Sequence, residues 1–172
     1  MAREVSTMWI REYLESRKVW YETLLHPPVP SATKLAQSVH VPGRCVAKVV
    51  LVKAGEAFVL AVLPATHRID LARLGQVVGG DGVRLATEEE AEAIFKDCER
   101  GALPPFGHLY GLKTVVDASL AGGCDIVCLS NTRHEGVKMR YRDFEAIESP
   151  VRAQFAEAIA PRRRRVSHRR AG

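Results

Sequence analysis

The sequence predicts a mixed α/β protein built as a single domain, and three observations lead to this prediction. Segments rich in β-branched residues alternate along the chain with segments of helical spacing. Two β-rich segments, residues 45–52 and 57–63, are separated by a short turn, which predicts a hairpin and excludes a wholly parallel sheet. The chain has 172 residues, of which 47% are hydrophobic, so it can bury one sizeable core.

The N-terminal part is predicted to form a helix, a strand and a second helix. Residues 5–18 repeat apolar side chains near helical spacing, whereas residues 19–25 favour a strand by composition. Three prolines between residues 27 and 30 end that strand, because proline fixes φ and removes an N–H donor. Ser31 then suits the N-cap of a helix that runs to about residue 39.

Beyond the hairpin, helices alternate with short strands. Asp70 caps a predicted helix through residue 78, and a capping box at Thr87 begins a helix that runs to about residue 98. A last helix is predicted from near Asp143 to residue 159, either continuous or broken at Pro150. The strands predicted in this part cover residues 83–86, 114–117, 125–130 and 136–141.

Composition excludes several classes of protein. No apolar run approaches the roughly 18 residues of a membrane span. The first residues lack the apolar core of a signal peptide, so we expect a cytoplasmic protein with no membrane partner. The four cysteines lack the paired short spacings of a structural zinc site, and three of them lie in apolar segments. We therefore expect no metal, no cofactor and no disulfide.

Residues 1–158 are predicted to form the domain, and residues 159–172 a basic, disordered tail. Six arginines after Pro161 supply more than the whole formal charge of +5, so the rest of the chain is close to neutral. The predicted contacts to a phosphate backbone are Arg162, Arg163, Arg164 and Arg165. Such contacts are independent of base sequence and weaken steeply with salt. The alternative is a solubilising end with no specific partner.

Lys48 is the residue that the pattern most strongly indicates for function, because it stands alone in the apolar run 46–52. Taking an ammonium out of water without a partner costs several kcal/mol. One interpretation is a lysine near a strand end whose amine reaches solvent. The other is a lysine in a cleft that binds an anion or a developing negative charge.

The loop 101–111 is the second unusual segment, since it combines three glycines with two prolines. Prolines stiffen a backbone, while glycines allow positive φ and close approach. A loop of this kind can hold N–H groups in a fixed array, which suits an oxyanion or a sugar hydroxyl. Its predicted substrate-binding residues are Pro104, Pro105, Phe106 and Gly107.

Taken together and in this order, these segments resemble the YbaK/EbsC superfamily of aminoacyl-tRNA deacylases, which is related to the editing domain inserted in bacterial prolyl-tRNA synthetases. The resemblance covers roughly residues 5–155. The matching stretches are 26–28, 46–50, 63–71, 85–87, 101–111, 115–117 and 139–144. No single stretch is diagnostic, but their order and spacing are fairly specific.

The resemblance implies a largely antiparallel mixed sheet curved around a small pocket, with surrounding helices. That pocket would accept the 3′ end of a mischarged aminoacyl-tRNA and hydrolyse its ester. The family's principal functional residue corresponds to Lys48, and its Gly-x-x-x-Pro element corresponds to Gly101 and Pro105. A lysine with a pKa near 10.4 is a poor general base, so Lys48 is expected to act electrostatically while a water attacks.

The chain departs from the family pattern before its last strand, where a small Ala-Gly pair and a histidine are usual. An ungapped match places Ser130 and Asn131 on the pair and Arg133 on the histidine. His134 follows one position later, so either residue is a candidate for the histidine's role, His134 as a catalytic and Arg133 as a substrate-binding residue. A shift of one residue along a strand turns a side chain to the opposite face. His134 can therefore take the place of the family histidine only if a turn compensates for its position one residue further on.

His26, Ser31 and Asn131 complete the predicted substrate-binding residues. His26 either faces the site or caps a strand end. Asp117, at another strand end, is expected to hydrogen-bond to loop N–H groups rather than to catalyse.

Three functional hypotheses follow. The first is a trans-editing hydrolase that removes a wrong, small amino acid from tRNA. In this hypothesis the tail adds nonspecific affinity for tRNA, and an aminoacyl-tRNA synthetase is a further partner. The second keeps the fold without catalysis, as a module that binds a tRNA end or a synthetase. The third makes the tail the active part and the domain a scaffold for nucleic-acid association.

Overall fold

The computed structural model describes residues 9–80 and 82–160, and these contain five α-helices and ten strands. The helices are α1 (Ile10–Ser16), α2 (Ala32–Ser38), α3 (Leu71–Val78), α4 (Glu88–Ile94) and α5 (Tyr141–Glu148). The strands are β1 (Tyr21–Leu25), β2 (Ala47–Ala54), β3 (Ala57–Pro64), β4 (His67–Ile69), β5 (Arg84–Leu85), β6 (Lys113–Asp117), β7 (Ile126–Ser130), β8 (Thr132–Met139), β9 (Val151–Ala153) and β10 (Ala156–Ala158).

The strands form three sheets of mostly antiparallel pairs. The largest has the order β5-β2-β3-β6-β9, in which β3, β6 and β9 are parallel to one another. A second sheet has the antiparallel order β1-β8-β7, and β4 pairs with β10 in a third. A parallel bridge between Val46 and Val127 joins the first two sheets. The predicted mixed α/β fold with a largely antiparallel sheet is therefore confirmed.

Local sequence signals explain several element boundaries. The β2–β3 hairpin pairs Ala47 with Pro64 through to Ala54 with Ala57, as its period and turn predicted. The Ser31 hydroxyl caps α2 by accepting a hydrogen bond from the N–H of Lys34, and Asp70 caps α3 through the N–H of Arg73. In the described residues no helix is long and apolar enough to cross a membrane.

The predicted last helix is wrong beyond residue 148. The helix α5 ends at Glu148, its C-cap Ser149 has a φ of 48°, and the next residue is Pro150. The chain then forms β9 against β6 and β10 against β4. Asp117 holds this segment, because one of its carboxylate oxygens accepts the N–H groups of Phe155 (2.8 Å) and Ala156 (2.9 Å).

Several other boundaries differ from the prediction, two of them by about four residues. The helix α4 ends at Ile94 rather than near residue 98, and β8 begins at Thr132 rather than at residue 136. The earlier start of β8 follows from a turn of one residue, Asn131, whose φ of 60° suits an asparagine.

The expectation of no disulfide is also wrong, since Cys45 and Cys124 are joined with their Cα atoms 6.0 Å apart. They are 79 residues apart in sequence, and no local pattern signals their pairing. Their proximity arises because Cys45 precedes β2 and Cys124 precedes β7, and these two strands begin side by side.

Candidate functional site

Lys48 lies on β2, opposite Leu63 of β3, and its side chain is half-buried. The Lys48 amine donates a hydrogen bond of 2.5 Å to the backbone carbonyl of His67 at the start of β4. Burial lowers the pKa of Lys48 from its ordinary value of 10.5, because it disfavours the charged form. The protein thus holds this amine in one place and leaves part of it open to a ligand.

A cleft of about 210 Å³ lies beside Lys48. Gly101 and Leu103 line it from the loop after α4, and Pro30 and Ser31 line it from the start of α2. Among the described residues that form its walls, Lys48 carries the one charged side chain. The structure therefore brings together the lysine and the loop glycine that the sequence singled out.

The backbone of Gly101 has a φ of 80°, which a residue with a side chain rarely adopts. Its N–H group has no backbone acceptor among the described residues. The neighbouring Ala102 N–H donates to the carbonyl of Glu99, which fixes the loop at this point. An N–H donor on a fixed loop beside a cationic side chain can bind a polarised carbonyl or a hydroxyl oxygen.

The structure does not place Pro104, Pro105, Phe106 and Gly107 on the walls of this cleft; all four are buried. Phe106 packs edge-on against Tyr13 and Phe144. The N–H of Gly107 donates to the Thr114 hydroxyl at 3.1 Å, and a Cβ on Gly107 would come 2.5 Å from that oxygen. These residues hold the loop to the core.

A larger cleft of about 380 Å³ adjoins the first, and both share Val49, Gly101 and Leu103. Arg133 lines this larger cleft. Glu99 holds Arg133, because its carboxylate accepts the Arg133 backbone N–H at 3.0 Å and lies 3.7 Å from the guanidinium. The arginine is thus positioned at the rim of the cleft with part of its guanidinium exposed.

His134 lines neither of these clefts but a separate groove, together with Trp9 and Glu12. Thr132 pairs with Ser130, whereas Gly136 pairs with Leu129, so residues 133–135 form an irregular stretch of β8. In this stretch Arg133 lines the larger cleft and His134 lines the separate groove. Asn131 is itself buried, and its side-chain oxygen accepts the Ile10 N–H at 3.1 Å. Arg133, not His134, is the residue that the structure brings to the cleft side.

His26 does not line either cleft. Its backbone N–H donates to the carbonyl of His134, and its Nδ1 lies 2.8 Å from the carbonyl of Pro27. The predicted contacts Arg162, Arg163, Arg164 and Arg165 lie outside the described residues. Among the described residues, the Ile159 N–H donates to the carbonyl of Thr66, the residue before His67.

The sequence did not predict a polar cluster of Asp97, Cys98 and Tyr110, of which Cys98 lines the larger cleft. The Tyr110 hydroxyl donates to Asp97 at 2.9 Å and lies 3.4 Å from the Cys98 sulfur. Burial raises the pKa of the Cys98 thiol to about 12, so it remains protonated. No spacing rule links these residues, because a loop brings Tyr110 back onto the end of α4.

Among the described residues, no three His, Cys, Asp or Glu side chains are grouped so that they could hold a metal ion. The polar side chains that line the Lys48 cleft are those of Lys48 and Ser31.

The fold is thus that of a mixed α/β domain in which a half-buried lysine, Lys48, and a loop glycine, Gly101, line one small cleft. The family model of the aminoacyl-tRNA editing domain matches residues 26–147. The chain belongs to the aminoacyl-tRNA editing domain family, as the sequence resemblance indicated.

Curated relatives are larger proteins. The chain is 30% identical over 106 residues to a proline-tRNA ligase of Thiobacillus denitrificans, and 31% identical over 126 residues to proline-tRNA ligase 1 of Streptomyces avermitilis. These matches cover 61% and 72% of this chain but 18% and 22% of the ligases. The similarity thus concerns one part of those enzymes.

Solved structures share the fold over most of the chain. A crystal structure of a candidate trans-editing enzyme for prolyl-tRNA synthetase gives a TM-score of 0.76 at 21% identity, covering 92% of this chain and 99% of that one. A hypothetical protein gives a TM-score of 0.79 at 19% identity, covering 86% and 99%. At these identities the likeness shows the fold alone.

Proposed function

We propose that this protein hydrolyses the ester bond of a mischarged aminoacyl-tRNA, acting in trans on the tRNA 3′ end. The observation that carries the proposal is that Lys48 and Gly101 line the same small cleft. Membership in the aminoacyl-tRNA editing domain family supports the substrate class.

In this mechanism Lys48 acts as a cation rather than as a base. A protonated amine has three N–H donors, and the His67 carbonyl takes one of them. The remaining donors bind an oxygen of the terminal adenosine or its phosphate. Because the amine is half-buried, this attraction is stronger than it would be in bulk water.

The backbone N–H of Gly101 then binds the ester carbonyl and stabilises the negative charge that develops on its oxygen. The Ser31 hydroxyl lies on the same cleft and can contact the ribose. Since no described residue of this cleft is a carboxylate or an imidazole, the substrate's own 2′-hydroxyl positions the attacking water. An ester is activated relative to an amide, so positioning and charge stabilisation suffice.

Arg133 takes the position that the family gives to a histidine, and in our proposal it binds the substrate at the rim of the larger cleft. His134 has no part in this step, since it lines a separate groove. Residues 104–107, Asn131 and His26 act by holding the cleft walls. The arginines of residues 162–165 contact tRNA phosphates, and a synthetase is a further partner.

The decisive experiment is a deacylation assay of Lys48→Ala on a panel of mischarged tRNAs. We expect kcat/KM to fall at least about a hundredfold, because a preorganised charge is lost from the site. Lys53→Ala is the matched control, since Lys53 lies on the same strand but not on the cleft. Retained turnover in a folded Lys48→Ala protein would refute the role of Lys48.

A second candidate function is a binding module without catalysis. It is favoured by the absence of a carboxylate or imidazole among the described residues of the Lys48 cleft and by Arg133 in the histidine position. Binding without turnover by the unmodified protein, across the whole tRNA panel, would establish the module and exclude the enzyme.

A further inference from the structure

The disulfide between Cys45 and Cys124 joins two strands that both contribute to the walls of the Lys48 cleft. Cys45 comes shortly before β2, the strand that carries Lys48. Cys124 comes shortly before β7, the strand that carries Leu129. Lys48 and Leu129 both line the cleft, so the bond joins one wall of the cleft to another.

These two strands have little backbone pairing with each other. They belong to different sheets, and in the part of the chain that the structure describes the parallel bridge between Val46 and Val127 is the one strand pairing that joins those sheets. Val46 and Val127 also lie in an apolar cluster with Leu129. A junction held by one bridge and by apolar packing opens more easily than a paired sheet, and a covalent bond beside it opposes that opening.

The Cys124 end of the disulfide is the end that a reductant can reach. Cys45 is only 5% exposed, whereas Cys124 is partly exposed and follows two exposed glycines, Gly122 and Gly123. Gly123 has a φ of 93°, and a Cβ placed on it would have nothing within 4 Å, so this loop borders open space. Accessible disulfides are reduced more easily than buried ones and are often regulatory.

The proposed editing of aminoacyl-tRNA takes place in the cytosol, where glutathione and thioredoxin systems keep protein thiols reduced. Disulfides that form in that compartment are usually transient and serve catalysis or redox sensing. A disulfide that is accessible and that joins two walls of the candidate site is therefore better explained as a reversible bond than as a permanent one.

We propose, on the basis of the proposed function, that Cys45 and Cys124 form a redox switch of the Lys48 cleft, in which the disulfide form is the active one. In reduction, a thiolate of a cellular dithiol attacks the Cys124 sulfur, and Cys45 leaves as a thiolate that takes up a proton. The second thiol of the reductant then displaces Cys124. The protein gains two electrons and two protons, and the reductant becomes a disulfide. A disulfide oxidant of the same class reverses both steps.

Reduction leaves the fold in place but allows the start of β2 and the start of β7 to move apart. Catalysis by positioning is sensitive to small displacements, since a shift of about 1 Å can cost as much as about a hundredfold in rate. We expect the smaller and partial loosening at this junction to lower kcat/KM about fivefold or more.

The test compares the full chain oxidised in air with the same chain reduced by dithiothreitol and then freed of reductant under argon. Labelling with N-ethylmaleimide after denaturation should modify two cysteines, Cys98 and Cys128, in the oxidised chain and all four in the reduced chain. Deacylation of the mischarged tRNA panel should slow on reduction and recover on reoxidation with oxidised dithiothreitol.

Two variants assign the response to the disulfide. Cys124→Ala removes the partly exposed cysteine and should show the activity of the reduced chain under both conditions. Cys128→Ala is the matched control, because it removes a free thiol from β7 itself and should keep the full redox response.

Hydrogen exchange measured by mass spectrometry reports on the cleft independently of turnover. Peptides that contain residues 46–50 and 126–130 should exchange about threefold or more faster in the reduced chain and in Cys124→Ala. Peptides that contain β9 should be unchanged. If neither redox state deacylates any tRNA, the proposed function fails, and hydrogen exchange alone then decides whether the disulfide controls the cleft.

Several results would overturn the redox switch. Equal hydrogen exchange of residues 46–50 and 126–130 in both redox states would show that the disulfide does not control the cleft. Equal or faster turnover after reduction would show that the disulfide form is not the active one. Labelling of all four cysteines in the air-oxidised chain would show that the bond does not form. A disulfide that persists in a glutathione buffer of cytosolic composition would be a permanent bond. Loss of the response in Cys128→Ala would assign it to another thiol.

Discussion

The two halves of the loop between Gly101 and Gly111 have different surroundings. Gly101 and Leu103 line the cleft beside Lys48, whereas Phe106 and Gly107 are buried in the core. The second half is held by Glu148, a buried carboxylate of α5 that accepts the Thr114 hydroxyl (2.6 Å) and the His108 N–H (3.2 Å). One loop thus contains a part that lines the cleft and a part that is held in the core.

This difference teaches that residues adjacent in a family motif need not share a function. Proline and glycine were expected throughout the loop to shape a binding surface. The prolines Pro104 and Pro105 are buried, and their stiffness serves to carry the chain from the cleft into the core. Substitutions in the two halves should therefore separate stability from activity.

The largest expected effect is on stability, from Phe106→Ala. Removing a fully buried phenylalanine leaves a cavity, and we expect the free energy of unfolding to fall by about 3–5 kcal/mol in urea titrations. Leu103→Ala, in the cleft half, should cost less stability but weaken substrate binding. Equal losses of stability in both variants would contradict the division of the loop.

Asp117→Asn tests whether a buried polar group at another strand end is also structural. The amide retains one acceptor oxygen, so we expect a loss of about 1–3 kcal/mol at neutral pH with kcat/KM unchanged. Burial raises the pKa of Asp117, but hydrogen bonds from Ser119, Phe155 and Ala156 outweigh this and hold it below its ordinary value of 3.8.

The sign of the pH effect follows from that lowered pKa. The contribution of the Asp117 carboxylate to the free energy of unfolding is fully present above the pKa that Asp117 has in the unfolded chain. It is lost as the pH falls through the pKa that Asp117 has in the folded protein. The stability difference between wild type and Asp117→Asn should therefore narrow in acid, as thermal unfolding at several pH values would show. A difference that stays constant down to strongly acidic pH would mean that the carboxylate charge contributes nothing.

Gly101→Ala directly tests the half of the loop that lines the cleft beside Lys48. The positive φ of 80° imposes strain of about 1–2 kcal/mol on any side chain, and the added methyl group enters the cleft region. We expect a loss of more than about tenfold in kcat/KM. Gly111→Ala is the matched control, because Gly111 has a φ of 71° and an added Cβ would have nothing within 4 Å. We expect this variant to suffer a similar backbone strain and to keep its activity unchanged. Equal activity in both variants would remove Gly101 from the site.

The smallest expected effect is a change in the pH dependence of the deacylation activity. Because burial lowers the pKa of Lys48, activity that needs the ammonium should decline at a lower pH than for an ordinary lysine. Lys48→Arg keeps the charge at all accessible pH values, so its residual activity, about a few-fold below wild type, should lack this decline. An identical alkaline decline in Lys48→Arg, after subtraction of spontaneous ester hydrolysis, would assign the decline to another group.

Much of the fold could be predicted because its signals are local. The hairpin follows from two β-rich runs with a short turn, and the caps at Ser31, Asp70 and Thr87 follow from single side chains that bond to N–H groups three residues on. Lys48 could also be singled out from the sequence, because a single cationic residue in an apolar strand is recognised without knowledge of its tertiary contacts.

What the sequence determined by itself was the set of elements with strong local patterns, the family and the cationic residue of the cleft. Only the tertiary structure decided that Arg133 and not His134 faces the cleft, that Phe106 enters the core, and that the chain after Pro150 forms strands instead of a helix. The physical reason is that these outcomes depend on partners distant in sequence. The β9 strand exists because β6 offers it an edge, and Arg133 reaches the larger cleft from the stretch of β8, residues 133–135, whose pairing with β7 is irregular.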